Sequence, residues 1–124
     1  MKINSIMINS TNSITDLCKL GVKYPTDKSP YVINNTPNGS GHRHPYTSVY
    51  NILFSTLRYK KIKLSEIGIL DNMSMTCWRE YFTNADLFGF DYKQEYIDLS
   101  RKSNLDETIY DYINIKEELS LIHI

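Results

Sequence analysis

The sequence predicts an α/β chain in which a helical lead-in precedes three parallel strands with crossover helices. Three observations carry this expectation. Apolar stretches of strand length stand at 63–70, 86–91 and 108–115. Segments with helical spacing lie between them. Strands that alternate with helices suit a parallel sheet, whose crossovers are right-handed. At 124 residues the chain has the length of one domain.

The elements follow in order. Residues 1–10 alternate weakly between Ile or Met and polar residues, which suits a short strand or an extended arm. Ser13 reads as an N-cap with Asp16 in the first turn. Ile14, Leu17, Cys18 and Leu20 continue at helical spacing, and Gly21 fits the C-terminal stop. A loop then runs from 24 to about 44, with Pro25, Pro30, Pro37 and the run Asn38-Gly39-Ser40-Gly41. Loops of such length are usually functional or disordered. Pro45 suits the first turn of a second helix. Tyr46, Val49, Tyr50, Leu53, Phe54 and Leu57 form the clearest apolar stripe in the chain, before the basic run 58–63. The first strand leads into a turn at Asp71-Asn72, and Ser74 reads as the cap of a helix carrying Met75, Trp78, Tyr81 and Phe82. The second strand ends on Asp91. Residues 94–102 form a helix with Tyr96, Ile97 and Leu99 inside, and Trp78 reads as core. In the third strand Ile109, Asp111, Ile113 and Ile115 share one face. That strand is expected to present an unpaired apolar edge, a form that invites aggregation.

Charge and composition exclude several functions. Lys plus Arg number 14 and Asp plus Glu number 14, so the formal net charge is zero. A nucleic-acid binder that neutralises phosphates would show a basic excess. No apolar run approaches the roughly 20 residues that span a bilayer, and the N-terminus is too polar for a secretory signal. Cys18 and Cys77 lack metal-ligand spacing and read as reduced thiols of a cytoplasmic protein. The abundance of Ile, Asn, Lys and Tyr beside a single alanine, Ala85, reflects AT-rich codons and carries no functional reading.

The last six residues, Leu119-Ser120-Leu121-Ile122-His123-Ile124, match the translation of CTGTCTCTTATACACATC, the transposase mosaic end used in sequencing adapters. Residues 119–124 are therefore expected to be a non-native tail, and the natural protein to run on past Glu118. On this reading residues 1–21 are an arm with a short helix and residues 22–118 are the main, truncated domain.

The segment with chemical content is Glu66-Ile67-Gly68, followed by Asp91, which stands 23 residues after the glycine. In an open parallel sheet, ligands sit at the carboxyl ends of the strands. A carboxylate at the end of the second strand can accept hydrogen bonds from both ribose hydroxyls of an adenosine. The glycine lets a ligand approach the backbone without meeting a Cβ. Glu66, just before the turn, can meet a cationic amino-acid group. The structural alternatives are a Glu66–lysine pair and an Asp91 cap on the following helix.

These residues belong to a longer ordered set: Thr26-Asp27-Lys28, then His44-Pro45-Tyr46-Thr47 with Tyr50, Glu66-Ile67-Gly68, Ser74-Met75 with Trp78, and Phe88-Gly89-Phe90-Asp91. The set resembles class I S-adenosylmethionine-dependent methyltransferases, in particular the subgroup that includes macrolide-sugar O-methyltransferases. The resemblance runs from about Val22 to about Glu118. It implies the N-terminal part of a Rossmann-like fold and methyl transfer from S-adenosylmethionine to an oxygen nucleophile of a small molecule or sugar. It implies cofactor contacts at Glu66, Gly68, Asn72, Ser74 and Asp91, with Tyr46 and Thr47 towards the methionine end or the substrate mouth. Asn114 stands where the family has an acidic residue near the adenine. The sequence departs from the family at Asn72 and Met73, where glycines are frequent; Asn tolerates the left-handed conformation, whereas Met73 narrows the space beside the ligand.

By the same resemblance, the catalytic base and any divalent metal belong to a second half of the fold. The chain alone is thus expected to bind cofactor without turnover. His44 reads as ring packing or capping more readily than as a base, and His42, Arg43 and His44 do not make a metal site. Two rivals stand beside this reading. A nicotinamide-dependent oxidoreductase needs G-x-G-x-x-G, and no glycine follows Gly68 before Gly89. A non-enzymatic interaction domain would reuse the sheet as a scaffold.

Overall fold

The structure, a computed structural model, describes residues 4–5, 14–31 and 44–114. The expected arm, the Ser13 cap, the glycine-rich stretch 38–41, Ile115 and the tail 119–124 lie outside those residues. The length suggests one domain, and the chain divides into two compact units, Met1–Ser55 and Thr56–Ile124.

In the first unit, α1 (Asp16–Lys23) starts at an N-cap on Thr15, whose hydroxyl accepts the Cys18 N–H at 3.2 Å. Gly21 does not stop this helix but lies within it. A Cβ there would come within 2.6 Å of the Ser29 Cβ, so the glycine is needed where segment 26–29 crosses the helix. The second helix, α2 (Tyr46–Phe54), follows Pro45 without a side-chain cap. The loop supplies the missing acceptor instead: the Lys28 carbonyl takes the Tyr46 and Thr47 N–H groups at 3.0 and 3.1 Å. α2 ends earlier than its apolar stripe suggests and continues as a 3-10 turn, Ser55–Leu57. Its buried residues are Thr47 and Ser48, while Leu53, a member of the stripe, is 59% exposed. The stripe therefore does not mark the buried face.

The second unit is α/β, with three parallel strands in one open sheet and crossover helices. The order is β1 (Ile62–Ile67), α3 (Met73–Tyr81), β2 (Ala85–Asp91), α4 (Gln94–Lys102) and β3 (Thr108–Tyr112), and the strands lie side by side as β1-β2-β3. The predicted alternation and the bounds of α4 agree with this, but Leu99, expected inside with Tyr96 and Ile97, is 62% exposed; the strands are shorter than their apolar stretches at 63–70 and 108–115. The register places Leu64 beside Leu87, Glu66 beside Gly89, and Gly89 beside Tyr110. One face of the sheet thus carries Leu64, Glu66, Leu87, Gly89, Asp91 and Tyr110, and it packs against the helices. The other face carries Ile67 and Ile109, both more than half exposed, with half-buried Phe88 and Phe90.

The third strand has the opposite facing to the one its isoleucines suggest. Ile109 is exposed and Tyr110 is buried, because β2 offers a glycine on the helix side. The Tyr110 ring lies over Gly89, and a Cβ at position 89 would meet its Cδ1 at 2.7 Å and its Cε1 at 2.9 Å. Overpacking of this kind costs about 1–3 kcal/mol. Gly89→Ala is expected to lower the urea midpoint accordingly, with Tyr110→Leu restoring part of the loss in the double variant.

The outer edge of β3 has no strand partner among the described residues, as its sequence suggests, but side chains take two of its backbone groups. The Leu87 N–H donates to the Glu107 carbonyl and the Ile113 N–H to the Asp91 carbonyl. Odd-numbered residues of β3 therefore face β2, and Thr108, Tyr110 and Tyr112 face outward. Arg101 caps one carbonyl of this edge, its Nε and Nη2 donating to the Tyr110 carbonyl at 3.2 and 2.8 Å. Asp111 Oδ1 accepts the Tyr112 N–H at 2.8 Å and lies 3.7 Å from the Arg101 guanidinium. Charged side chains that occupy edge groups are a standard defence against strand addition.

Candidate functional site

The carboxyl ends of β1 and β2 and the start of α3 bring together five of the sequence-predicted residues, Glu66, Gly68, Asn72, Ser74 and Asp91. β1 ends at Gly68, whose N–H donates to the Phe90 carbonyl at 2.7 Å. Its φ of +84° is a value that side chains rarely allow, and a Cβ there would meet nothing within 4 Å. Glycine is thus required by conformation, and it leaves open space beside the strand end. The turn uses two further left-handed residues, Leu70 (φ 47°) and Asn72 (φ 67°). A leucine in this region costs about 1–2 kcal/mol. Asp91 holds it there: Oδ2 accepts the Leu70 N–H at 3.2 Å, and Oδ1 accepts the Lys93 N–H at 3.0 Å. Asp91 is 3% exposed. One carboxylate therefore ties the turn after β1 to the turn before α4. Each of its oxygens keeps a second lone pair for a further donor.

Glu66 points to the helix face. Its Oε1 accepts the Ser74 hydroxyl at 2.6 Å and its Oε2 accepts the Trp78 Nε1–H at 2.5 Å. Ser74 and Trp78 stand four residues apart on α3, so both reach the same strand side chain. Ser74 is therefore not the helix cap. That position belongs to Asn72, which precedes α3 with no side-chain cap bond. Asn72 sends its Nδ2–H to Ser103 Oγ at 3.0 Å, while its buried Oδ1 has no partner among the described residues. Tyr110 faces the same place. Burial pushes its phenol up from the usual value, against a weaker downward pull from Asn72 and Ser103, and its hydroxyl completes no hydrogen bond among the described residues.

The remaining predicted residues lie elsewhere. Asn114 follows β3, half-buried, two residues beyond Tyr112. Tyr46 and Thr47 belong to the first unit. Tyr46 stacks on His44 with ring centroids 5.0 Å apart, as the packing alternative for His44 anticipates. Thr47 is buried, its hydroxyl 3.2 Å from Cys18 Sγ. Cys18 also meets the hydroxyls of Thr15 at 3.1 Å and Ser48 at 3.2 Å. Burial alone would raise its pKa, but the hydroxyls of Ser48, Thr15 and Thr47 together outweigh burial and hold the thiol below its ordinary value. The sequence gives no sign of this cluster, because Thr47 and Ser48 stand 29 and 30 residues from Cys18 in the chain.

A cavity of about 510 Å³ opens at the other end of the sheet, at the amino ends of the strands, lined by Lys63, Asp86, Phe88, Leu105, Glu107 and Ile109 among others. Among the described residues no group of three His, Cys, Asp or Glu side chains could hold a metal ion, and no helix is long and apolar enough to cross a membrane. No known protein family matches the sequence, and no curated protein or solved structure is similar to it.

Proposed function

We propose that the parallel unit binds S-adenosylmethionine and serves methyl transfer to an oxygen nucleophile of a small molecule, such as a sugar hydroxyl. The observation that carries this reading is the pair of strand ends. A left-handed Gly68 with open space beside it closes β1, and a buried carboxylate, Asp91, closes the neighbouring β2. An adenosine laid over the turn would meet no Cβ at Gly68, and its ribose hydroxyls would donate to the remaining lone pairs of Asp91. The residues present thus fit the nucleoside part of the cofactor. Bound there, the cofactor supplies an electrophilic methyl group. The chain's part is to orient it, with Asp91 fixing the ribose and Glu66 presenting negative charge beside the turn, its oxygens already anchored by Ser74 and Trp78. Such a reaction demands in-line placement of the acceptor oxygen on the methyl carbon.

The experiment is calorimetric titration of the chain with S-adenosylhomocysteine and, separately, with NAD. Saturable binding of the first is expected, weakened at least tenfold by Asp91→Asn. Tighter binding of NAD would replace this reading with that of an oxidoreductase. Absence of binding by both would favour an interaction domain.

A further inference from the structure

Three polar side chains on the helix side of the sheet are each at least nine-tenths buried: Asn72, Ser100 and Tyr110. Asn72 Oδ1, Ser100 Oγ and Tyr110 Oη all lack a hydrogen-bond partner among the described residues. Buried polar atoms without partners are costly, and native proteins keep few of them. These three converge. The Tyr110 ring lies over Gly89, and Ile69 Cγ2, from the turn after β1, reaches the same spot: a Cβ at position 89 would meet it at 3.3 Å. The ring therefore points from β3 towards turn 69–72. From α4, Ser103 Oγ accepts the Asn72 Nδ2–H at 3.0 Å and donates to the Ser100 carbonyl at 2.6 Å. Asn72 and Ser103 both act on the Tyr110 phenol. The same bonds fix which way the amide faces. The Ser103 hydroxyl proton is engaged by the Ser100 carbonyl, so its oxygen accepts, and the Asn72 NH2 must face it. Oδ1 is thereby turned to a place where no protein donor meets it. Tyr110 does not fill that role directly, since neither its hydroxyl nor Oδ1 completes a bond. Polar neighbours that do not bond directly are commonly bridged by water.

We propose that Asn72 Oδ1, Ser100 Oγ and Tyr110 Oη together bind one buried water molecule, which ties the turn after β1 to α4 and β3. The water accepts the Tyr110 O–H and donates to Asn72 Oδ1 and Ser100 Oγ. Three bonds are the usual complement of a buried water, and these three satisfy every unpartnered atom of the cluster. The groups are uncharged, which suits water and not an ion. Asn72 is left-handed and begins α3 without a side-chain cap bond. The water thus holds, from the helix side, the residue that turns the chain beside Gly68 and Asp91. Through it Tyr110 acts on the candidate site as a positioning residue. This water site stands apart from the methyl-transfer reading and is tested without any cofactor.

The test is water-selective nuclear Overhauser spectroscopy and amide hydrogen exchange of the full chain, with Tyr110→Phe and Asn72→Gly beside the wild type. Phenylalanine keeps the ring over Gly89 and loses the hydroxyl. Glycine keeps the left-handed conformation and loses the amide. The wild type is expected to show cross-peaks from a long-lived water to the Asn72 side-chain amide protons, and Tyr110→Phe to lose them. The backbone N–H of residue 72, bonded to the Ile69 carbonyl at 2.9 Å, should exchange about tenfold faster in either variant, while Leu64 and Glu66 in the β1–β2 ladder keep their protection. Both substitutions remove the same bridge, so the double variant should exceed the faster single by less than about twofold. A wild type without the water cross-peaks would overturn the proposal. If the variants were then still coupled, the two side chains would bond directly. Effects that multiply in the double variant would overturn it too, since Tyr110 and Asn72 would then act separately. Equal loss of protection across the sheet would reduce Tyr110 to packing and overturn its positioning role.

Discussion

Trp78→Ala is expected to destabilise the parallel unit by about 3–5 kcal/mol, the range for truncating a large buried aromatic. The residue is 6% exposed and packs against Phe82 with ring centroids 5.8 Å apart. It also donates to the Glu66 carboxylate, so truncation both opens a cavity and removes a donor from that carboxylate. Whole domains are stable by only about 5–15 kcal/mol, so this one change would bring the unit close to unfolding. Urea denaturation followed by far-ultraviolet circular dichroism measures it. Fluorescence would not serve, since Trp78 is the chain's single tryptophan. Trp78→Phe separates the two contributions. It keeps most of the packing and loses the N–H, at an expected cost of about 1.5–3 kcal/mol for a hydrogen bond to a charged group. A loss below about 1 kcal/mol for Trp78→Ala would mean that the α3–β1 contact is not what holds the unit together.

Asp91→Ala is the second large effect, expected at about 2–5 kcal/mol. Its carboxylate accepts the Leu70 and Lys93 N–H groups in a buried setting. Removing it leaves both donors without that acceptor, at about 1–3 kcal/mol each. It also releases Leu70 from the left-handed conformation that the bond enforces, which returns part of the cost. Asp91→Asn should fall between wild type and alanine, since the amide keeps one acceptor oxygen but turns its NH2 towards one of the two N–H donors. Hydrogen exchange at Leu70 and Lys93 gives the local readout: both amides should lose protection in Asp91→Ala while those of β3 keep theirs. Equal loss throughout the sheet would mean that Asp91 holds the unit globally and not the turns.

Some of this was legible in the residues and some was not, for separable reasons. The alternation of strands and helices, the extent of α4 and the core position of Trp78 follow from local periodicity, which acts within a turn or two of the chain. The structural alternative for Asp91, a cap on the following helix, came close: the helix's N-cap is Lys93, and Asp91 takes the N–H of Lys93, a contact that spans two residues. The second contact of Asp91, to Leu70, spans 21 residues and has no local signal. Ser74 read as a cap because serine before an apolar helix usually is one. It turned to Glu66 because the left-handed Asn72 begins the helix two residues earlier. Gly21 read as a stop because glycine after a helix usually is one, whereas here it makes room for Ser29.

The sequence by itself determined the element types, their order and the two carboxylates placed at strand ends, since periodicity and turn residues act locally. Only the tertiary structure decided which face of β3 is buried, which side chains reach its edge, and what each carboxylate touches. Gly89 admits the Tyr110 ring and so turns the isoleucines outward. Arg101 reaches the outer edge of β3 and caps its Tyr110 carbonyl. Those outcomes depend on contacts between residues distant in the chain, where shape and hydrogen-bond satisfaction outweigh the local preference of any one segment.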